Sequence, residues 1–167
     1  MIEFDIKQFL SLDNYEESRQ DRRKGKNATQ EFFTPYSIVK KMCDKISEED
    51  WRDKTKTFLE PCAGNFQFIC YILWNRLQHG VHWYHALNTI YGIELQEDNL
   101  IEGKQRIIKL LDLMNIDYDE DLAMDIMDYN LVCSDFFEWD FENWCKKGEK
   151  PRKCFSKIIG DEEYKDY

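Results

Sequence analysis

The chain has few of the residues that break regular structure, and it has no long hydrophobic run. Its 167 residues include only 3 prolines and 7 glycines. No apolar segment approaches the roughly 20 residues that a membrane-spanning helix needs. The first residues are acidic and lack the basic-then-apolar pattern of a secretory signal. We therefore expect no membrane association, a cytoplasmic location, and one domain large enough to bury a core.

The cysteines and histidines do not form a recognisable metal-binding motif. Six cysteines are present, but no two form a Cys-x-x-Cys pair, which favours reduced thiols acting as small core residues. His79, His82 and His85 are spaced three residues apart, with no cysteine or carboxylate paired with them to complete a tetrahedral site. We predict that they occupy a helix end and a loop, and we predict no metal.

Basic residues are in deficit, and the formal net charge is −10. A charge of this sign opposes the approach of duplex DNA, which is bound largely through lysine and arginine. The segment Arg19–Lys26 is an exception, with five basic residues and one acid, and it is where we would expect any DNA contact. The segment 112–128 has seven acids and no base. The simplest interpretation of the two runs is a solvated loop and a solvated helix face.

Apolar residues follow strand and helix periods in alternation. Four short apolar runs have the composition of strands, at 57–59, 89–94, 130–135 and 154–159. Three further segments have helical spacing, one before the first run at 38–46 and two between the runs at 66–77 and 97–114. This alternation predicts an α/β domain with a parallel sheet and crossover helices. We interpret residues 1–28 as an N-terminal lead-in and residues 29–167 as the domain.

Four short motifs stand in a fixed order along the domain. They read QEFFTP, LEPCAGNFQF, YGIE and CSDFF, at 30–35, 59–68, 91–94 and 133–137. Each motif alone is weak, but the ordered set at domain-like spacing is more specific. The set resembles the S-adenosylmethionine-binding half of N6-adenine DNA methyltransferases, in the arrangement that begins with the Phe-x-Thr-Pro segment. The resemblance covers residues 29–164.

The resemblance implies a cofactor site for S-adenosylmethionine at the ends of the strands. Glu60 would lie near the methionine end of the cofactor, and Gly64 would allow close approach of the backbone. Glu94 would accept hydrogen bonds from the ribose hydroxyls, as the acid of dinucleotide folds does. Asp135 would accept from the adenine amino group, and Phe136 would pack on the adenine ring. Phe33, Thr34 and Pro35 would form a lid over the methionine side.

The turn after the first strand departs from the family pattern. The family has Gly-x-Gly-x-Phe, whereas this chain has GNFQF at 64–68, so that Phe66 takes the place of the second glycine. A side chain at a position where the backbone meets the cofactor would intrude on the site, unless the ring turns inward.

The segment that resembles the catalytic loop also departs from the family. The family carries Asn/Asp-Pro-Pro-Tyr/Phe, which accepts hydrogen bonds from the target amine and stacks on the flipped base. This chain has Asp161-Glu162-Glu163-Tyr164. Asp161 and Tyr164 retain an acceptor and an aromatic platform, but both prolines and their fixed backbone angles are lost.

These observations together predict a Rossmann-like, doubly wound parallel sheet with strand order 3-2-1-4, a truncated methyltransferase fold. The leading functional hypothesis is a degenerate methyltransferase-like protein that is not catalytic alone and acts through a partner. One alternative is an active N6-adenine methyltransferase, or one subunit of a split enzyme. A further alternative is an acidic decoy of a DNA-binding protein. A strand at 155–159 would leave an apolar edge, which a protein partner or self-association would cover.

Overall fold

The computed structural model describes residues 4–11 and 34–167, and these form a mixed α/β fold. Phe33 and the basic segment Arg19–Lys26 lie outside the described residues, so their predicted roles are not addressed by the structure. The described helices are α1 (Ile6–Phe9), α2 (Tyr36–Cys43), α3 (Glu48–Arg52), α4 (Gln67–Gln78), α5 (Trp83–Asn88), α6 (Glu97–Leu113), α7 (Glu120–Asn130) and α8 (Phe155–Glu163). Among these helices, none is long and apolar enough to cross a membrane.

A three-stranded parallel sheet lies at the centre of the fold. Its strands are β1 (Phe58–Glu60), β2 (Ile90–Glu94) and β3 (Leu131–Cys133), in the order β1-β2-β3. Glu60 is aligned with Gly92 across β1 and β2, and Glu94 is aligned with Cys133 across β2 and β3. The prediction of parallel strands near 57–59, 89–94 and 130–135 is therefore confirmed.

The core lies where α4, α6 and α7 pack around this sheet. The helix predicted at 66–77 is confirmed as α4, and its residues Ile69, Cys70 and Leu73 are fully buried. In α7, the acidic run is carried on a helix whose other face buries Ala123, Ile126 and Met127. Ile6 and Leu10 near the chain's start are buried in this same core. α6 and α7 each bury one apolar stripe, whereas α4 is buried on nearly all sides, as a helix in the centre of the core is.

A short antiparallel hairpin follows the sheet and was not predicted. It consists of β4 (Trp139–Asp140) and β5 (Cys145–Lys146). Trp139 and Trp144 pack with Ile93 and Val132 in a second hydrophobic cluster, and the two indole rings meet edge to face with centroids 5.3 Å apart. The hairpin thus covers the β3 side of the sheet with large aromatic rings.

The predicted fourth strand at 155–159 is wrong, because this segment belongs to helix α8. Helical spacing places Ser156, Lys157 and Gly160 toward α5 and α7, where each makes a contact. A strand would turn Ser156 and Lys157 to opposite faces of a sheet and lose one of these sets of contacts. The described sheet accordingly has three strands, and the apolar edge expected at 155–159 is an apolar helix face instead.

Candidate functional site

The carboxyl ends of the three parallel strands carry acidic residues at one edge of the sheet. Glu60 is the last residue of β1, Glu94 is the last of β2, and Asp135 follows β3 by two residues. The backbone amide of Ser134 donates to the carbonyl oxygen of Glu94 at 3.0 Å, which holds the end of β3 beside the end of β2. The carboxyl edge of a parallel sheet is where α/β proteins bind ligands. The structure therefore brings the predicted acids of the three strands to one edge.

The carboxylate of Glu94 joins the tip of β2 to the elements on either side. It is buried, and it accepts hydrogen bonds from the amide of Gly64 at 2.6 Å and the amide of Gln96 at 2.9 Å. The side-chain amide of Asn99 donates to the same carboxylate at 3.4 Å. A carboxylate offers about four lone pairs, and three of them are engaged by these donors. Counting only donors from residues 4–11 and 34–167, one acceptor position is left, which is enough for a single ligand hydroxyl.

The turn between β1 and α4 resolves the question that Phe66 raised. Gly64 and Phe66 both have positive φ, at 54° and 69°, so that Phe66 adopts the left-handed backbone that a glycine adopts without strain. Its ring is fully buried and lies against Gly103 of α6. A Cβ atom added at Gly103 would lie 2.4 Å from that ring. The ring is thus turned into the core.

A buried hydrogen-bond network braces this turn. The guanidinium of Arg106 donates to the carbonyl of Asn65 at 2.6 Å and to the side chain of Gln67 at 2.8 Å. Gln67 in turn donates to the carbonyls of Leu10 at 3.1 Å and Thr34 at 3.4 Å. The predicted lid residue Thr34 therefore lies beside the first residue of α4, and Pro35 follows it at the start of α2. Phe33 is outside the described residues.

Two further groups at this edge have shifted acidities. Burial raises the pKa of the Glu60 carboxyl, and the amide of Cys62, which donates to it at 3.3 Å, opposes that shift. The thiol of Cys62 is exposed at the surface, yet partial desolvation and the charges of Glu60 and Glu94 raise its pKa. A raised pKa lowers the thiolate fraction of Cys62 at neutral pH, which does not favour covalent catalysis.

Asp135 and Phe136 begin the segment after β3. The Asp135 side chain is exposed and accepts from the amide of Phe137 at 2.8 Å, capping a short 3-10 helix at Phe136–Glu138. Phe136 is half-buried and packs against Phe141, with ring centroids 5.0 Å apart. Phe137 is 79% exposed. Both predicted adenine-site residues therefore border the carboxyl edge, with Asp135 accessible to a ligand.

The two predicted catalytic side chains lie at the opposite edge of the sheet. Asp161 accepts from the hydroxyl of Tyr84 at 2.8 Å and from the side-chain amide of Asn88 at 3.1 Å, and Asn88 precedes β2. Tyr164 stacks on Tyr84 with centroids 5.0 Å apart. The five residues of β2 separate this location from Glu94 by roughly 13 Å. The structure does not bring Asp161 and Tyr164 together with the predicted cofactor residues.

Lys157 is the centre of a polar cluster at this amino edge. Its ammonium donates to the side chain of Asn130 at 2.8 Å and to the hydroxyl of Tyr91 at 3.2 Å. It also lies 5.0 Å from the ring centroid of Tyr91 and 4.9 Å from that of Tyr129. Burial lowers the pKa of Lys157 to about 8. These contacts fix α8 to the sheet, and no sequence motif indicated them.

The three histidines make separate contacts in this part of the fold. His79 bonds to the carbonyl of Asn75 and to the carboxylate of Glu48. His82 caps α5, and His85 bonds to the carbonyl of Tyr164 at 2.8 Å. Across residues 4–11 and 34–167, no cluster of His, Cys, Asp or Glu has the arrangement of a metal site.

Sequence reasoning missed the residues that support the site. Asn99, Gly103 and Arg106 all lie on α6, and they contact Glu94, Phe66 and Asn65 respectively. One signal was present, since a glycine inside a long helical pattern costs stability and usually has a packing reason.

No family model, curated protein or solved structure matches the chain.

The left-handed backbone at Phe66 generates a prediction. Phe66→Gly and Phe66→Ala both remove the buried ring and should each cost about 3–5 kcal/mol. The glycine variant should be the more stable of the two by about 1 kcal/mol, because glycine adopts positive φ without strain. Urea denaturation measures both free energies of unfolding. The control is Gln105, inside α6, where substitution to alanine should be more stable than substitution to glycine. A Phe66→Ala variant that is more stable than Phe66→Gly would contradict the proposed turn geometry.

The lowered pKa of Lys157 predicts a pH-dependent contribution to stability. Between pH 8 and the ordinary lysine range, the unfolded chain binds a proton that the folded chain has released. The free energy of unfolding of the wild type, relative to Lys157→Met, should therefore rise by about 1–2 kcal/mol from pH 7 to pH 9.5. Denaturation of both proteins at a series of pH values measures this difference. Lys153→Met, at an exposed lysine, is the control, and a flat difference for Lys157→Met would refute the prediction.

Proposed function

We propose that this chain is a Rossmann-like, methyltransferase-type domain that binds S-adenosylmethionine, does not transfer methyl groups alone, and acts through a protein partner. The observation that carries the proposal is the meeting of Gly64 and Glu94 at the carboxyl edge, with Asp135 at the next strand. The ordered motifs predict this arrangement for a nucleoside site. Parallel α/β sheets in general gather their strand tips at one edge, so the support for a nucleoside site lies in the acids at those tips.

The cofactor would be held by groups of known chemistry at this edge. The remaining acceptor position of Glu94 would take a ribose hydroxyl, and the exposed carboxylate of Asp135 would accept from the adenine amino group. Phe66 makes no side-chain cap at the start of α4, and the backbone amides there would be the donors to the methionine carboxylate. Phe66 also lies within the core, which supports a site free of its ring.

The amino edge supports the view that catalysis is not performed by this chain alone. Asp161 and Tyr164 are engaged with Tyr84, and both belong to the packing of α8 rather than to the carboxyl edge. A methyl donor at Glu94 would be about a strand length from them, whereas the acceptor amine must contact both the methyl group and its hydrogen-bond acceptors. The catalytic groups would therefore come from a partner.

Calorimetric titration with S-adenosylmethionine tests the cofactor proposal. The wild type should bind, and Asp135→Ala should weaken binding by about tenfold through loss of the adenine acceptor. Glu94→Gln keeps one carbonyl oxygen but sets its amino group against one of the two backbone amides, so it should weaken binding and also lower the free energy of unfolding. Asp166→Asn, at an exposed acid in the terminal segment after α8, is the matched control. Absence of heat with the wild type would remove the proposal, and methyl transfer to adenine-containing DNA by the isolated chain would favour an active enzyme instead.

The outer face of α8 is the surface that supports a partner. Phe155, Ile158 and Ile159 are 73%, 57% and 66% exposed, and their spacing places them on one side of the helix. Contiguous apolar groups at this level of exposure commonly mark interaction sites. The predicted apolar surface at 155–159 is therefore retained, although a helix rather than a strand presents it.

Sedimentation velocity checks whether this face drives association. At tens of micromolar, the wild type should show concentration-dependent self-association, because this face will pair with itself when no partner is present. Ile158→Ser with Ile159→Ser should sediment as a monomer with an unchanged free energy of unfolding. Ile38→Ser, at a similarly exposed isoleucine on α2, is the control. A wild type that is monomeric at every concentration would count against this role for α8.

A further inference from the structure

A groove of about 480 Å³ runs between α6 and α7. Its α6 wall contains Ile101, Lys104 and Ile108, and its α7 wall contains Met124 between Glu120 and Asp128. These positions are three or four residues apart, so they form one stripe along each helix. Seven residues of helix span about 10 Å, which is the length of two helical turns.

The floor of the groove is apolar and open to solvent. Ile101 is 52% exposed and Met124 is 38% exposed, and Ile108 is partly buried beside them. Methionine side chains are flexible and polarizable, and they are common at surfaces that bind apolar helices. An exposed apolar stripe between two helices has the shape that receives one face of a third helix.

The wall of the groove that α7 forms is acidic. The α7 wall has Glu120 and Asp128 in the groove and Asp121 and Asp125 beside it, and α7 contains no base. Lys104 is already paired with Asp128 at 2.7 Å, so its charge is neutralised within the wall. The Glu120 end of the groove, with Asp121 next to it, keeps its negative charge. An apolar floor with an acidic wall is complementary to an apolar stripe flanked by lysine or arginine.

We propose that the groove between α6 and α7 binds a basic amphipathic helix of a partner protein. The acidic wall disfavours anionic membranes and nucleic acids, which carry the same sign of charge. A second copy of this chain is disfavoured at the groove because its net charge of −10 has the same sign as the acidic wall, and self-association is expected at the α8 face instead. Charge alone would suit any basic partner, but the floor of Ile101 and Met124 selects an amphipathic helix. This site is independent of the cofactor proposal and of the α8 face.

The test is binding of a synthetic peptide of about 15 residues with leucines at helical spacing and lysines elsewhere. Fluorescence anisotropy with the labelled peptide should show binding that weakens as salt is raised, because exposed charges are screened. Ile101→Ser with Met124→Ser should weaken binding about tenfold or more, since buried apolar anchors dominate such interfaces. Glu120→Gln with Asp121→Asn should weaken it several-fold and reduce its salt dependence.

Matched controls make each outcome decisive. Leu113→Ser and Met42→Ser remove exposed apolar groups outside the groove and should leave the affinity unchanged. A peptide of the same composition in scrambled order should bind at least tenfold more weakly. The proposal is overturned if the wild type does not bind, if the scrambled peptide binds equally well, or if the groove variants bind like the controls. Circular dichroism confirms that each variant is folded, and the Glu120 and Asp121 pair remains decisive if the double serine variant is not.

Discussion

The buried carboxylate of Glu94 holds the carboxyl edge of the sheet together. It accepts from the amide of Gly64 in the turn after β1 and from the amide of Gln96 at the start of α6. Hydrogen bonds to a charged group contribute about 1.5–3 kcal/mol each, and leaving such a group without donors when buried costs more. The buried Glu94 carboxylate therefore keeps its hydrogen-bond donors only while the turns at Gly64 and Gln96 hold their positions. The position of Gly64 in turn places Phe66 in its left-handed conformation above Gly103.

The two edges of the sheet have different roles. At the carboxyl edge, acids follow the strands and Asp135 is open to solvent, as a ligand site requires. At the amino edge, Asp161 and Tyr164 bond or stack with Tyr84 of α5, Lys157 donates to Asn130 of α7, and the edge is closed by α8. Asp161 and Tyr164 are therefore residues of types that catalysis uses, but their contacts in this structure are packing contacts. Function along this chain would arise from binding surfaces rather than from a complete active centre.

Strand ends could be predicted from the sequence because their signals are local. Runs such as YGIE combine β-branched or aromatic residues with a terminal acid, and a parallel sheet then places those acids at one edge. The segment 155–159 could not be assigned in this way, because a short apolar run fits a strand and a helix equally well. Its conformation is decided by partners far away in sequence, namely Tyr84, Asn130 and Asp125. The inward turn of Phe66 likewise depends on Gly103, 37 positions later.

The central claim is that a nucleoside-shaped ligand binds among the three strand tips and nowhere else. A ¹⁵N–¹H correlation spectrum recorded during titration with S-adenosylmethionine tests it residue by residue. Our account predicts shifts of the amide signals of Gly64, Gln96 and Phe136, with the signals of Asp161 and Tyr164 unchanged. Shifts confined to α8, or a spectrum that does not change at saturating ligand, would contradict it.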